Sequence, residues 1–306
     1  LEILHTDNAN PSIIAEHLES AGEITQTLCE TLSDGGVLSF GLESADPVVH
    51  EANWLNCDSE QLKTAIRHIN EYGRERGERG LPKLLPGLNF IAGLNGETAA
   101  TYEMNRLLLQ ELKDEGLWLR RINIRQVEGE GFQEISEDDF NSFKHYVRNE
   151  IDGPLLTEMF PLGQHLKEVR WESHDDRIRL PTHIEDESHR SETCRGKAGV
   201  TFGRQIGAYP ILIGIPYHAP LESLSDVIVT GHGKRSITAI EVGIDINAAS
   251  QKQLEAIPGI GEKSAWRIVS EKVKRGHRDK KFESVEEAFI SLGIEMPEIA
   301  QQVLVV

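Results

Sequence analysis

Over the first 127 residues, short apolar runs alternate with stretches whose apolar residues recur every three or four positions. Residues 1–5 read as a strand. Asn10 and Pro11 supply an N-cap and a proline at the first helical position. Ile14, Leu18, Ala21, Ile24, Leu28 and Leu32 then form one helical face, which Gly35-Gly36 ends. Residues 36–43 predict a second strand with a polar end. Asp58 with Gln61 makes a capping-box start, and Leu62, Ala65, Ile66, Ile69 and Tyr72 line the helix up to Gly73. Residues 88–93 are a third strand. The helix over 98–114 presents Met104, Leu107, Leu108 and Leu112 and stops at Gly116, and residues 119–127 are a fourth strand. Such alternation with short loops implies right-handed crossovers and a parallel sheet. Four strands are few for a closed barrel or a doubly wound sheet. Residues 1–160 therefore read as the C-terminal part of a larger α/β domain. A start without Met, inside a strand, adds the expectation of an N-terminal truncation.

Residues 137–160 have a helical pattern carried by Phe140, Phe143, Tyr146 and Val147. Residues 161–198 are polar and rich in His, Asp, Glu and Arg, and read as a connection. From 199 to 244 the period shifts to two, with apolar runs at 200–202, 210–215, 226–230 and 236–240 between Gly- and Pro-bearing turns. A small antiparallel barrel or sandwich is expected there. Residues 245–306 are helical again.

Charge sharpens these boundaries. The chain of 306 residues has 50 acidic and 32 basic residues, a net −18. Residues 245–306 hold ten acidic and nine basic residues, so −17 resides upstream. A surface that binds polyanions throughout is excluded, and the near-neutral tail is set apart from the acidic body. With 39% hydrophobic and 27% charged residues, disorder is not the dominant state. The longest apolar run, 209–217, is far too short to span a bilayer, so no membrane partner is expected. Cys29, Cys57 and Cys194 lie in three unrelated settings, make no disulfide framework and imply a reducing, cytoplasmic interior.

The sharpest chemical signal is in the tail. Two short helices, 246–257 and 262–268, flank Pro258-Gly259-Ile260-Gly261, followed by Lys263. Glycines permit positive φ and close approach of a ligand. Free amides of the hairpin and of the second helix then face outward as an anion cradle, with the Lys263 charge beside them. Such a segment resembles the helix-hairpin-helix of DNA-repair and DNA-uptake proteins, which implies contact with a nucleic-acid backbone, DNA or tRNA. A second, weaker copy follows at Gly293-Ile294, with Glu295 where the second glycine would stand, and is expected to pack rather than bind phosphate. Between the copies, residues 272–281 carry six basic residues in ten, among them Lys272, Lys274 and Arg275, suited to sequence-independent backbone contact. A protein-binding hairpin and a merely solvated basic face remain as the alternatives.

The other signal is at the C-terminal ends of the parallel strands, where α/β proteins bind ligands. Ser39, Gly41, Glu43 and Ser44 end one strand, Asn89, Gly93 and Asn95 the next, and Asn123 and Gln126 the last. Alternation puts Ser39, Gly41 and Glu43 on one face, and Asn89, Ile91 and Gly93 likewise. Small and amide side chains on a sheet face suit a nucleoside, though polar residues satisfied within loop entrances would read the same. His165, His174, His183, His189 and Cys194 crowd the polar connection without regular metal-ligand spacing, so no metal site is expected. No P-loop, Ser-His-Asp or two-carboxylate constellation stands out.

The Gly-Leu-Glu-Ser strand end, the Phe-Ile-Ala-Gly-Leu-Asn-Gly-Glu-Thr passage and the Asn-Ile-Arg-Gln strand resemble strands four to six of the radical S-adenosylmethionine fold. With the tail, the chain is most similar to a largely archaeal group of such iron-sulfur proteins ending in a helix-hairpin-helix. The resemblance implies a partial (β/α) barrel lacking its first strands, then a small antiparallel β-barrel and an all-α helix-hairpin-helix domain. It implies S-adenosylmethionine bound by Glu43 and Ser44 at the ribose or methionine end. Residues from Asn89 to Gly93 and from Asn123 to Gln126 would flank the adenine. It also implies a four-iron cluster and radical chemistry on a nucleic-acid-associated substrate in a full-length parent. The turn Thr230-Gly-His-Gly-Lys-Arg235 resembles, faintly, the compact barrels appended to RNA-modifying radical enzymes; a spacer role fits equally.

One departure matters. The cluster motif Cys-x3-Cys-x2-Cys is absent from these 306 residues. This fragment is therefore expected to bind no cofactor and to be inactive by itself. The alternative is a non-enzymatic nucleic-acid-binding or scaffold protein whose polar strand ends are structural.

Overall fold

A computed structural model describes residues 3–127, 129, 132–178, 199–277 and 280–306. The chain divides into two compact units, one running to Met159 and including Gly207–Pro210, the other comprising Phe160–Ile206 and Ile211–Val306.

The first unit is an open sheet of four parallel strands in the order β1 (Asn8–Ala9), β2 (Gly36–Glu43), β3 (Leu84–Ala92) and β4 (Ile122–Gln126). The edge strand is Asn8–Ala9, paired with Ser39 and Phe40, further along than the strand expected at residues 1–5, of which residues 1 and 2 lie outside the described residues. Residues 3–7 make no ladder of their own, although Asp7 accepts from the Ser39 amide. Asn10 caps α1 (Pro11–Glu16) through its side chain, as its sequence predicts.

The long helix expected next is broken at His17, and α2 (Leu18–Thr31) turns a different face inward. Its buried residues are Ala21, Gly22 and Thr25, while Leu18 and Ile24 face solvent. Close approach decides this. A Cβ on Gly22 would lie 2.8 Å from the Tyr72 hydroxyl, and Thr25 Oγ1 is 3.3 Å from His68 Nε2, both on α4 (Ser59–Gly73).

α4 has both halves of its capping box, Asp58 and Gln61, and completely buries Leu62, Ala65, Ile66 and Ile69. A short helix α3 (Pro47–Asn53) precedes it, capped by Asp46 with a proline at the first position. α5 (Ala99–Asp114) buries Tyr102, Asn105, Leu108, Leu109 and Leu112, whereas Met104 and Leu107 are exposed. α6 (Glu137–Tyr146), one π-helical turn (Val147–Asp152) and α7 (Gly153–Met159) complete the unit. Phe143 of α6 meets Phe90 edge-on at 5.3 Å on the helix-covered side of the sheet.

The second unit begins with a closed five-stranded barrel, in the order β5 (His165–Asp175), β6 (Val200–Gln205), β7 (Leu212–Ile215), β9 (Ser236–Glu241), β8 (Leu224–His232). All pairings are antiparallel except β7 with β9. β5 lies inside the stretch read above as a polar connection. Its alternation is interrupted by register shifts after Leu166 and after Trp171, which space its inward residues Leu166, Val169 and Trp171 unevenly. His183, His189 and Cys194 lie outside the described residues.

The tail holds α8 (Gln251–Glu255), α9 (Glu262–Gly276), α10 (Val285–Leu292) and α11 (Glu298–Val303), tied by the parallel pair β10 (Ile244–Asp245) and β11 (Leu304–Val305). Leu254, Ile257, Ile260, Ala265, Ile268, Phe282, Phe289 and Val303 form its core, each at most 1% exposed. Among the described residues no helix is long and apolar enough to cross a membrane.

Candidate nucleic-acid interface and sheet-face site

On the sheet, Phe40, Leu42, Leu88 and Phe90 are buried. Alternation sends their neighbours to the other face. Register then aligns Gly41 with Asn89 and Asn89 with Asn123 across three strands, and Ile91 with Arg125 one step further. Asn123 Nδ2 donates to Asn89 Oδ1 at 2.8 Å. Ser39 belongs to the same face, one step back, and is 6% exposed.

Glu43 is the unusual member. A register shift between Gly41 and Glu43 coincides with φ +68° at Glu43, a left-handed conformation that a non-glycine residue adopts at a cost of about 1 kcal/mol. Its side chain folds back over Gly41, where a Cβ would meet Glu43 Oε1 at 2.5 Å. Glu43 Oε2 is buried without a hydrogen-bond partner. Burial holds the carboxyl above the ordinary carboxylate range, and the nearby Arg125 charge acts in the opposite direction. The row therefore combines an unsatisfied carboxylate, two amides and a cation above a glycine floor. Arg125 is not among the residues singled out from the sequence, and its signal there is its parity with Asn123 along the strand.

Because the folded state holds the Glu43 proton more tightly than the unfolded chain, ionising this group costs stability. The cost is absent below the ordinary carboxylate range and sets in as pH rises from that range through the folded pKa. Glu43→Gln is expected to stabilise the chain at neutral pH by about 1 kcal/mol, the low end for an unpartnered buried polar atom because the group is only partly buried. Thermal unfolding followed against pH should show the advantage vanish on acidification.

The remaining strand-end residues serve the fold. Ser44 is 1% exposed, and its hydroxyl accepts from the Asp46 amide at 3.1 Å. Gly93 has φ +92° and donates its amide to Glu97 Oε2 at 2.8 Å, and a Cβ there would lie 2.6 Å from the Val127 carbonyl. Tyr102 donates to Glu97 Oε1 at 2.5 Å, and burial followed by that bond raises the phenol. Asn95 exchanges backbone bonds with the Asn53 side chain at 2.8 and 3.1 Å. Gln126 is in register with Ala92 and so alternates away from Asn123. Of the predicted set, the structure brings together Ser39, Gly41, Glu43, Asn89 and Asn123, engages Ser44, Gly93 and Asn95 in hydrogen bonds within the fold, and alternates Gln126 to the opposite side.

Cys29 is on α2 and Cys57 precedes α4; burial pushes the Cys57 thiol up to about 12, with Asp58 adding to the rise. That thiol is a structural hydrophobe rather than a nucleophile. Among the described residues no three His, Cys, Asp or Glu side chains gather as metal ligands.

In the tail, Gly259 has φ +92°, and a Cβ there would press on the Pro297 ring at 2.7 Å. Its glycine requirement comes from that backbone conformation together with the close approach of the second hairpin. Ile260 is buried, and its amide closes the turn on the Ile257 carbonyl at 2.9 Å. Gly261 is different: it caps α9 without any side-chain bond, and a Cβ would meet nothing within 4 Å. The first-turn amides of Glu262, Lys263 and Ser264 have no carbonyl preceding them to accept, as at any helix start. Lys263 is exposed alongside. Residues 240–287 match the helix-hairpin-helix motif.

Within this helix-hairpin-helix the basic run divides. Lys272 Nζ donates 2.6 Å to the Ala249 carbonyl, and burial draws its ammonium below the usual lysine range, against the pull of Asp245. Arg275 donates to Glu287 Oε1 at 2.6 Å and stacks 4.4 Å from the Phe282 ring. Both brace the motif. Lys274 remains exposed, 3.9 Å from Glu271.

An uncharacterized protein of Archaeoglobus fulgidus is 38% identical over 269 residues, covering 85% of this chain and 46% of its own length. An uncharacterized protein of Methanocaldococcus jannaschii is 36% identical over 248 residues, covering 78% of this chain and 42% of its own. The chain thus spans a little under half the length of these curated relatives.

Proposed function

We propose that this chain is part of a nucleic-acid-binding protein, held on the sugar-phosphate backbone by its helix-hairpin-helix, whose α/β unit offers the sheet face for S-adenosylmethionine. The observation that carries the first half is the uncapped, open start of α9 at Gly261, with exposed Lys263 beside it. Amides and a cation there suit one phosphate. Lys263→Glu and Gly261→Val are each expected to weaken duplex DNA or tRNA binding by about tenfold or more, with Lys263→Glu lowering the salt slope by about 1. Titration at several salt concentrations measures both, and full affinity in both variants excludes the cradle.

Support for the second half is the fit of the sheet face. The orphaned Glu43 Oε2 asks for a donor such as a ribose hydroxyl or an ammonium, Gly41 leaves the floor open, and Arg125 would face a carboxylate. When bound in a radical enzyme, S-adenosylmethionine supplies a deoxyadenosyl radical; this chain's own residues only bind and orient it. The iron-sulfur cluster does not fit here, because neither described cysteine is on that face. A scaffold reading is favoured instead by the engagement of Ser44, Gly93 and Asn95 in the fold. Calorimetric titration of the full-length protein with S-adenosylhomocysteine separates the two: binding lost in Glu43→Gln supports the cofactor face, and no binding to the wild type supports the scaffold.

A further inference from the structure

α9 places its buried residues, Ala265 and Ile268, and its braced cations, Lys272 and Arg275, on one side. At roughly 100° per residue, the opposite side carries Lys263, Trp266, Arg267, Ser270, Val273 and Lys274. Lys263, Arg267 and Lys274 fall within a narrow arc of that side; Arg267 donates to the Leu292 carbonyl, which leaves Lys263 and Lys274 as the exposed lysines of the edge. Trp266 and Val273 run parallel to them as an apolar stripe, 59% and 52% exposed. The indole is therefore one helical turn beyond the proposed phosphate cradle, beside its lysine.

A largely exposed indole at a cationic edge gains by covering its flat face. Duplex bases keep their faces stacked on one another and offer an approaching helix mainly sugars and phosphates. Unpaired bases offer a π-face, and aromatic side chains interleaved with cations are how single strands are held without sequence preference. Building on the phosphate reading above, we infer that Trp266 stacks on an unpaired base next to the phosphate held at Gly261, so that the preferred partner is single-stranded nucleic acid. DNA and RNA single strands share this chemistry.

The test uses the full 306-residue chain with labelled oligo(dT), oligo(U) and a duplex, each about 15 nucleotides or base pairs long, read by fluorescence anisotropy. Trp266→Ala is expected to weaken single-strand binding by about tenfold and duplex binding by less than about twofold, and Trp266→Phe to restore most of the loss. Because the side chain faces solvent, far-ultraviolet circular dichroism should be unchanged in both variants. Oligo(dT) and oligo(U) compared at equal salt tell which strand chemistry is preferred, and loss on either one supports the inference. A wild type that binds while Trp266→Ala binds single strands equally well, or loses duplex binding to the same extent, overturns this inference alone. A wild type that binds no nucleic acid overturns the phosphate reading together with it.

Discussion

Gly73→Ala is expected to cost about 4 kcal/mol and to unfold the α/β unit, a large value for overpacking because no side chain can yield. Gly73 is the last residue of α4, and a Cβ on it would lie 1.8 Å from the Leu84 carbonyl oxygen and 2.8 Å from the carbonyl carbon. Leu84 is the first residue of β3, in register with Gly36 of β2, so moving it breaks the central pairing of the sheet. Gly116→Ala provides the contrast. Gly116 has φ +69° but open space around its Cβ position, so only the backbone conformation is penalised, at about 1 kcal/mol. Denaturant unfolding of both variants separates crowding from φ strain; similar losses in the two would refute the crowding argument.

Trp171→Ala is expected to cost the barrel about 4 kcal/mol. Trp171 is fully buried, and its Nε1 donates to both Ser225 Oγ and Glu241 Oε1 at 3.1 Å. Removal leaves a large void and withdraws a donor from Glu241, which also accepts from Ser225 at 2.5 Å. Gly203 lies close under this strand, since a Cβ there would come within 2.3 Å of the Arg170 carbonyl oxygen and 2.7 Å of the Trp171 ring. Trp171→Phe should recover about half the loss, because the void is filled but the hydrogen bonds are not. Far-ultraviolet circular dichroism, which does not depend on the replaced indole, follows the transition in all three proteins; an unchanged midpoint in Trp171→Ala would show that the barrel core is not organised around this residue.

Where local rules act alone, the chain is legible. The Asp58–Gln61 capping box, the buried face of α4 and the proline start of α1 are written in neighbouring residues. Where two elements approach closely, the apolar pattern misleads: α2 uses Gly22 and Thr25 against Tyr72 and His68, leaving Ile24 in water. β5 escaped notice because two register shifts break a period of two, disguising a core strand as a polar connection. Half of the candidate sheet face follows from parity alone. The conformation of Glu43 does not, because a left-handed glutamate is imposed by the bulge rather than chosen by the residue. Among the basic residues, charge said nothing about which were occupied; only the fold separates Lys272 and Arg275 from Lys263 and Lys274.

The contact between Gly259 and Pro297 has a temporal side. Every residue of the matched stretch, 240–287, leaves the ribosome before Pro297 does, and β11 follows later still. A nascent or clipped chain ending near residue 290 would carry the whole recognisable signature yet lack the ring against which its hairpin is moulded. A set hairpin thus arrives only once Pro297 has been added.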